Sequence, residues 1–136
     1  MTSPTAVVLA AGEGKRLRPL TRNRPKPLLP AGPAPILDHV LDTLTAVGVD
    51  EIVIVVGYRG SRVQDHVGST HDGADVSYVT QTSQLGSGHA LLQAEPVVDD
   101  SLLVLNGDQI VAPRIVREAL DAHRDDPEAS ATLAAL

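Results

Sequence analysis

Short unbroken apolar runs alternate along the chain with stretches that keep a helical period. Thr5-Ala6-Val7-Val8-Leu9 reads as a buried strand and stops in the small-residue loop Ala10-Ala11-Gly12-Glu13-Gly14. A proline-rich stretch follows from Pro19 to Pro35. From there Ile36, Leu37, Val40, Leu41, Leu44 and Val47 keep the spacing of one helical face, and Gly48 supplies the stop. Ile52-Val53-Ile54-Val55-Val56 is again continuous and β-branched, as a strand covered on both faces should be, and it ends at Gly57. A short polar helix from about Ser61 to Val67 leads to a third strand, Asp75 to Thr80. Ser87 then serves as the N-cap of a helix through Ala94. Ser101-Leu102-Leu103-Val104-Leu105 is the fourth strand, closing in Asn106-Gly107-Asp108. A helix from Pro113 to His123 carries Ile115, Val116, Ala119 and Leu120 on one face. Ala129 to Leu136 reads as a further strand that finishes without a turn or cap, so the chain is expected to stop inside an element.

Strands alternating with helices predict βαβ units. The expected fold is a Rossmann-like, three-layer α/β domain with a mostly parallel sheet, spanning residues 1–136 and truncated at its C-terminus. In such sheets ligands bind beyond the carboxyl ends of the strands. The loops after Leu9, at Gly57, at Gln81–Ser87 and at Asn106–Asp108 therefore border one candidate site.

Composition narrows the function. There is no cysteine, hence no disulfide framework and no thiolate metal site. No apolar run approaches the roughly 18 residues of a membrane span, and the N-terminus lacks the pattern of a secretory signal, which predicts a cytoplasmic protein with no membrane partner. A net charge of −6 argues against a nucleic-acid surface, yet six of the 11 basic residues, Lys15, Arg16, Arg18, Arg22, Arg24 and Lys26, lie in one segment. That is a local anion site on an acidic chain. The preference for Asp over Glu and Arg over Lys fits either high-salt adaptation or a GC-rich genome.

Glycines at 12 and 14 let backbone N–H groups approach a phosphate or base, with Lys15, Arg16 and Arg18 supplying charge. Taken alone, the loop reads equally as an ordinary strand-to-loop turn. It is not a dinucleotide fingerprint, because Leu17 stands where the third glycine belongs, and no acidic residue closes the second strand. Nor is it a Walker loop, because Leu9 and Arg16 occupy its first-glycine and Ser/Thr positions. The histidines show no metal-ligand spacing: His39, His66, His71 and His123 read as surface or packing residues, and His89 as local packing.

The whole segment Leu9-Ala-Ala-Gly-Glu-Gly-Lys-Arg-Leu-Arg-Pro-Leu-Thr-Arg-Asn-Arg-Pro-Lys-Pro-Leu-Leu-Pro30 closely resembles the signature of the nucleotidylyltransferases that act on sugar 1-phosphates. Gln81-Thr-Ser-Gln-Leu-Gly-Ser-Gly-His-Ala90 and Leu105-Asn-Gly-Asp108 follow in the family's order and approximate spacing. The resemblance implies that Leu9, Ala10, Ala11, Gly12, Gly14 and Lys15 hold a nucleotide, with Gln81, Gly86, Ser87 and Gly107 around it. Arg16 and Lys26 would face the reacting phosphates, and Asp108 would bind Mg²⁺. It further implies an enzyme that joins a nucleoside triphosphate to a sugar 1-phosphate and releases pyrophosphate. The segment from Gln81 to Ala90 looks more like that of uridylyl and thymidylyl members, which favours UTP or dTTP.

Each role is physically reasonable. Prolines flanking Lys26 restrict its backbone, so its ammonium is presented at a lower ordering cost, and a carboxylate is a hard ligand suited to Mg²⁺. In isolation, Pro25-Lys26-Pro27 would be a solvated linker and Asn106-Gly107-Asp108 a turn. The family's catalytic domain extends beyond this chain, and its later part holds the sugar. Two expectations therefore stand side by side: an enzyme, or a non-catalytic nucleotide-binding fragment or regulatory module of the same family. The unfinished last element is expected to favour self-association or a complementary C-terminal fragment.

Overall fold

The computed structural model describes residues 5–10, 26–57, 60–81, 102–107 and 110–125. In chain order these form β1 (Thr5–Ala10), a 3₁₀ turn (Lys26–Leu28), β2 (Pro30–Ala31), β3 (Ala34–Pro35), α1 (Ile36–Ala46) and β4 (Glu51–Val56). They continue with α2 (Gly60–Val67), β5 (Thr70–His71), β6 (Ala74–Thr80), β7 (Leu102–Asn106) and α3 (Pro113–Asp125). The expected helix at 87–94 and the expected strand at 129–136 lie outside the described residues.

The fold is α/β, with a five-stranded, mostly parallel sheet ordered β5-β6-β4-β1-β7. β1 is an interior strand, pairing in parallel with β4 from Ala6↔Ile52 to Ala10↔Val56 and with β7 from Thr5↔Leu102 to Leu9↔Asn106. Side chains alternate across a strand, so an uninterrupted apolar run must feed two cores. Ala6, Val8 and Ala10 do so on one face, packing with Ile52, Ile54 and Val56 against Leu37, Val40, Leu41 and Leu44 of α1 and Val63 of α2. Val7, Val53 and Val55 form the other cluster, with Leu9 and Val79 beside them.

α1 ends where Gly48 was expected to stop it. Gly48 N donates to Thr45 O (3.1 Å) and Val49 N to Leu44 O (3.1 Å), the Schellman pattern, and Val49 and Leu44 are both buried in the core cluster. Two hairpins add to the expected elements. Asp72 (φ 48) and Gly73 (φ 88) turn β5 back antiparallel onto β6, and both positive angles are what a two-residue type I′ turn demands. Within the proline-rich stretch, Gly32-Pro33 joins β2 to β3.

Candidate functional site

The chain steps outward from β1 to β4 to β6, then returns to lie on the other side of β1 as β7. Strand order thus reverses between β1 and β7, and in open α/β sheets the ligand crevice lies beyond the carboxyl ends at that reversal. β1 ends there at Leu9 and Ala10, and β7 at Asn106 and Gly107. β4 ends at Val56 and β6 at Thr80, with Gly57 and Gln81 following along the same edge.

Two backbone hydrogen bonds extend the sheet into this edge. Gly107 N donates to Leu9 O at 3.0 Å, and Gln81 N to Val56 O at 2.7 Å. The first brings β7 so close to β1 that a Cβ on residue 107 would stand 3.2 Å from Val8 Cγ1 and 3.3 Å from Leu9 O. A side chain there would crowd both strand ends, and the neighbours would have to give by a few tenths of an ångström. Gln81 is only 4% exposed, so the residue expected beside a base sits within the edge and not on a free loop.

The stretch after the basic segment is anchored as well. Lys26 opens the 3₁₀ turn, whose Leu28 joins the main core cluster. Ile36 N donates to Leu29 O at 3.0 Å, and His39 Nε2 donates to Ala31 O at 2.7 Å. A carbonyl can only accept, so this bond assigns the proton to Nε2. His39 is thereby a packing residue that ties the β2–β3 hairpin to α1. The backbone presenting Lys26 belongs to a folded turn, where the sequence alone offered only a restricted linker.

Of the expected site residues, Leu9, Ala10, Gln81, Gly107 and the backbone of Lys26 are described, and all but Lys26 share the carboxyl edge of the sheet. Ala11, Gly12, Gly14, Lys15, Arg16, Gly86, Ser87 and Asp108 lie outside the described residues, as does His89.

Sequence spacing did not reveal the aspartates that partner the histidines. His66 Nε2 lies 2.7 Å from Asp38 Oδ1, and His71 Nε2 lies 2.8 Å from Asp42 Oδ1. These pairs join one face of α1 to α2 and to β5. Asp42, His71 and Asp72 are the one group among the described residues whose potential metal-ligand atoms all lie within 4.8 Å of one another. The β5–β6 turn precedes β6 and so lies at the amino edge of the sheet, away from the crevice. The only local hint in the sequence was the Asp72-Gly73 dipeptide, a hairpin signal.

A mostly parallel five-stranded sheet whose strand order reverses beside β1 defines an α/β protein of an architecture in which ligands commonly bind beyond the carboxyl ends at that reversal. The match to known proteins narrows this. The model of the Nucleotidyl transferase family covers residues 5–136, and the chain belongs to that family. It is 41% identical over 105 residues to the UTP–glucose-1-phosphate uridylyltransferase AglF of Haloferax volcanii, covering 77% of this chain and 43% of the relative. It is 34% identical over 140 residues to the bifunctional protein GlmU of Symbiobacterium thermophilum, covering 99% of this chain and 28% of the relative. A Bacillus anthracis glucose-1-phosphate thymidylyltransferase structure in complex with sucrose superposes with a TM-score of 0.82 at 28% identity, over 90% of this chain and 51% of that one. The chain thus spans less than half the length of these curated relatives and about half that of the solved structure.

Proposed function

We propose that these residues form the nucleotide-binding part of a cytoplasmic sugar-1-phosphate nucleotidylyltransferase that takes UTP or dTTP. The observation that carries the reading is the Gly107–Leu9 hydrogen bond at the strand-order reversal. It joins the end of β7, just before Asp108, to the end of β1, from which the glycine- and arginine-rich segment departs. One crevice can then serve both the segment that would hold phosphates and the carboxylate that would face them. Family membership and the likeness to uridylyl- and thymidylyltransferases support the choice of substrate class.

The reaction is an in-line attack of a sugar 1-phosphate oxygen on the α-phosphorus of the triphosphate. The new P–O bond forms as the bond to pyrophosphate breaks. The nucleophile is already an anion, so no general base is needed, and positioning and charge stabilisation do the work. Leu9, Ala10, Ala11, Gly12 and Gly14 hold the nucleotide through backbone groups, with Gln81, Gly86, Ser87 and Gly107 around it. Lys15, Arg16 and Lys26 offset phosphate charge. Asp108 fits Mg²⁺, since it supplies one hard oxygen beside a phosphate site, and this ion commonly takes one or two carboxylates with phosphate and water. When bound, the metal neutralises charge on the phosphates. The Asp42–His71–Asp72 group, with an imidazole and at the amino edge, does not suit this role. No described helix is long and apolar enough to cross a membrane, and the net charge of −6 disfavours nucleic acid as a partner.

Calorimetric titration tests the reading: UTP or dTTP with Mg²⁺ is expected to bind more tightly than NAD. Equal or tighter binding of NAD would overturn it in favour of a dinucleotide site.

A further inference from the structure

α1 carries two aspartates one turn apart, Asp38 and Asp42, and each meets a histidine from a neighbouring element. The two encounters differ. Among the described residues His66 Nε2 pairs with Asp38 alone, at 2.7 Å, as an ordinary surface pair does. His71 Nε2 lies between two carboxylates, with Asp42 Oδ1 at 2.8 Å and Asp72 Oδ2 at 3.6 Å. One N–H can donate to Asp42, but at 3.6 Å it makes no hydrogen bond to Asp72. The ligand atoms of all three residues nevertheless lie within 4.8 Å of one another. Like charges this close repel, and the side chains of Asp42 and Asp72, 58% and 67% exposed, have room to turn away. Among the described residues no lysine or arginine pairs with either carboxylate.

The separations suit a metal ion better than a proton. A small dication bound by nitrogen and oxygen at about 2.0–2.2 Å holds its ligand atoms roughly 3–3.5 Å apart in octahedral or tetrahedral geometry. The two distances from His71 Nε2 bracket that range. Two carboxylates balance the charge of a dication, and a neutral imidazole supplies the nitrogen that favours zinc and its neighbours over Mg²⁺. The donors also stand on firm supports. Asp42 lies between Leu41 and Thr43, both buried, and His71 and Asp72 belong to the tight turn that sets His71 opposite Ala74. No spacing rule finds such a set in the sequence, because Asp42 and His71 are 29 positions apart.

We propose that Asp42, His71 and Asp72 form a surface site for one transition-metal dication of the Zn²⁺ type, with water completing its shell. The bound ion clips the β5–β6 turn to α1 at the amino edge of the sheet, and the proposal is independent of the nucleotide reading. Because the ion binds the folded arrangement and bridges two elements, it stabilises the fold by mass action.

The test is calorimetric titration of Zn²⁺ into the 136-residue chain, without nucleotide and in excess Mg²⁺, which competes at sites built of oxygen alone. Saturable binding of one Zn²⁺ per chain is expected, with a rise in melting temperature at saturation. Asp72→Asn keeps the turn, because asparagine tolerates a positive φ as aspartate does, and removes one charged ligand. Asp72→Asn and His71→Ala are each expected to weaken Zn²⁺ by about tenfold or more, since losing even a group that only orients a ligand costs about 10–100-fold. The rise in melting temperature should shrink in both. His66→Ala, which breaks the one-to-one pair, is expected to leave Zn²⁺ affinity at the wild-type value. Absence of saturable Zn²⁺ binding overturns the proposal, as does wild-type affinity in Asp72→Asn or His71→Ala. Equal weakening by His66→Ala also overturns it, by assigning the ion to surface imidazoles at large. Should His71→Ala fail to fold, Asp72→Asn decides the matter alone.

Discussion

A methyl group at position 107 would have to fit 3.2 Å from Val8 Cγ1, 3.3 Å from Leu9 O and 3.4 Å from Ala10 Cβ. Val8 and Ala10 are both buried and cannot swing aside, so Gly107→Ala would push the end of β7 away from β1 and lengthen the Gly107–Leu9 hydrogen bond. Overpacking of this kind costs about 1–3 kcal/mol, and Gly107→Ala is expected to lower stability by that amount in urea titration. UTP binding should weaken as well, because the displaced atoms border the crevice. A variant with wild-type stability and affinity would mean that the strand ends are not joined there. Tyr78 offers a different measurement. Burial raises the pKa of its hydroxyl above the ordinary tyrosine value, and the hydroxyl donates to Gly68 O at 2.6 Å, a bond that the ionised form cannot make. The sign follows from linkage. With the folded pKa above the unfolded value of about 10, the contribution is full below pH 10 and is lost as pH rises through the folded value. The wild type should therefore lose more stability than Tyr78→Phe as pH rises above about 10. Parallel curves for the two would remove the hydroxyl from the account, since Tyr58, the only other tyrosine, is common to both.

α1 is the element on which the most depends. Its apolar stripe anchors the sheet face, His39 ties it to the β2–β3 hairpin, Thr43 to Val111, and Asp38 and Asp42 to His66 and His71. Arg117 of α3 adds a bond from Nη2 to the carbonyl of Ala46 at 2.9 Å, near the helix C-terminus, where carbonyls lack helical partners. Leu41 is fully buried within the stripe, so Leu41→Ala should cost about 2–5 kcal/mol in reversible denaturation. A loss below about 1 kcal/mol would mean that α1 is not core. That helix was legible in the sequence because its period is long and its stop is a glycine. β1 and β4 were legible for a related reason: strands covered on both faces must be continuously apolar, and β7 carries the same apolar run although its Val104 is exposed; the parallel order that follows gathers their carboxyl-end loops on one edge. β5 was not, because two residues cannot express a period, although Asp72-Gly73 was a turn signal. The 3₁₀ turn and the β2–β3 hairpin were hidden among prolines, whose restricted backbone fits several conformations. At the site, residue types and chain order were legible, whereas the Gly107–Leu9 and Thr43–Val111 bonds join residues about 98 and 68 positions apart, and no local pattern encodes them.

At the scale of the whole molecule, binding and turnover are expected to separate. Every described loop at the carboxyl edge belongs to the proposed nucleotide side, and the chain spans 43% of the uridylyltransferase relative and 51% of the solved thymidylyltransferase. The reaction needs two substrates held in line. Well-oriented reactants can account for roughly 7–11 kcal/mol of a barrier, so 136 residues that hold one substrate and leave the other unplaced should react slower by many orders of magnitude. Val104 of β7, the outermost described strand on its side of the sheet, is 37% exposed, an apolar position that a further strand, a second copy or a complementary fragment would cover. The purified chain should be assayed for pyrophosphate release with UTP or dTTP and a panel of sugar 1-phosphates, and sized by light scattering in the same buffer. The expected result is Mg²⁺-dependent nucleotide binding by a self-associating chain with little or no pyrophosphate release. Activity appearing when a fragment carrying the sugar-binding half is added would identify positioning as the missing contribution. Rapid turnover by a monodisperse monomer would show instead that these 136 residues orient both substrates, and the argument from positioning would fail.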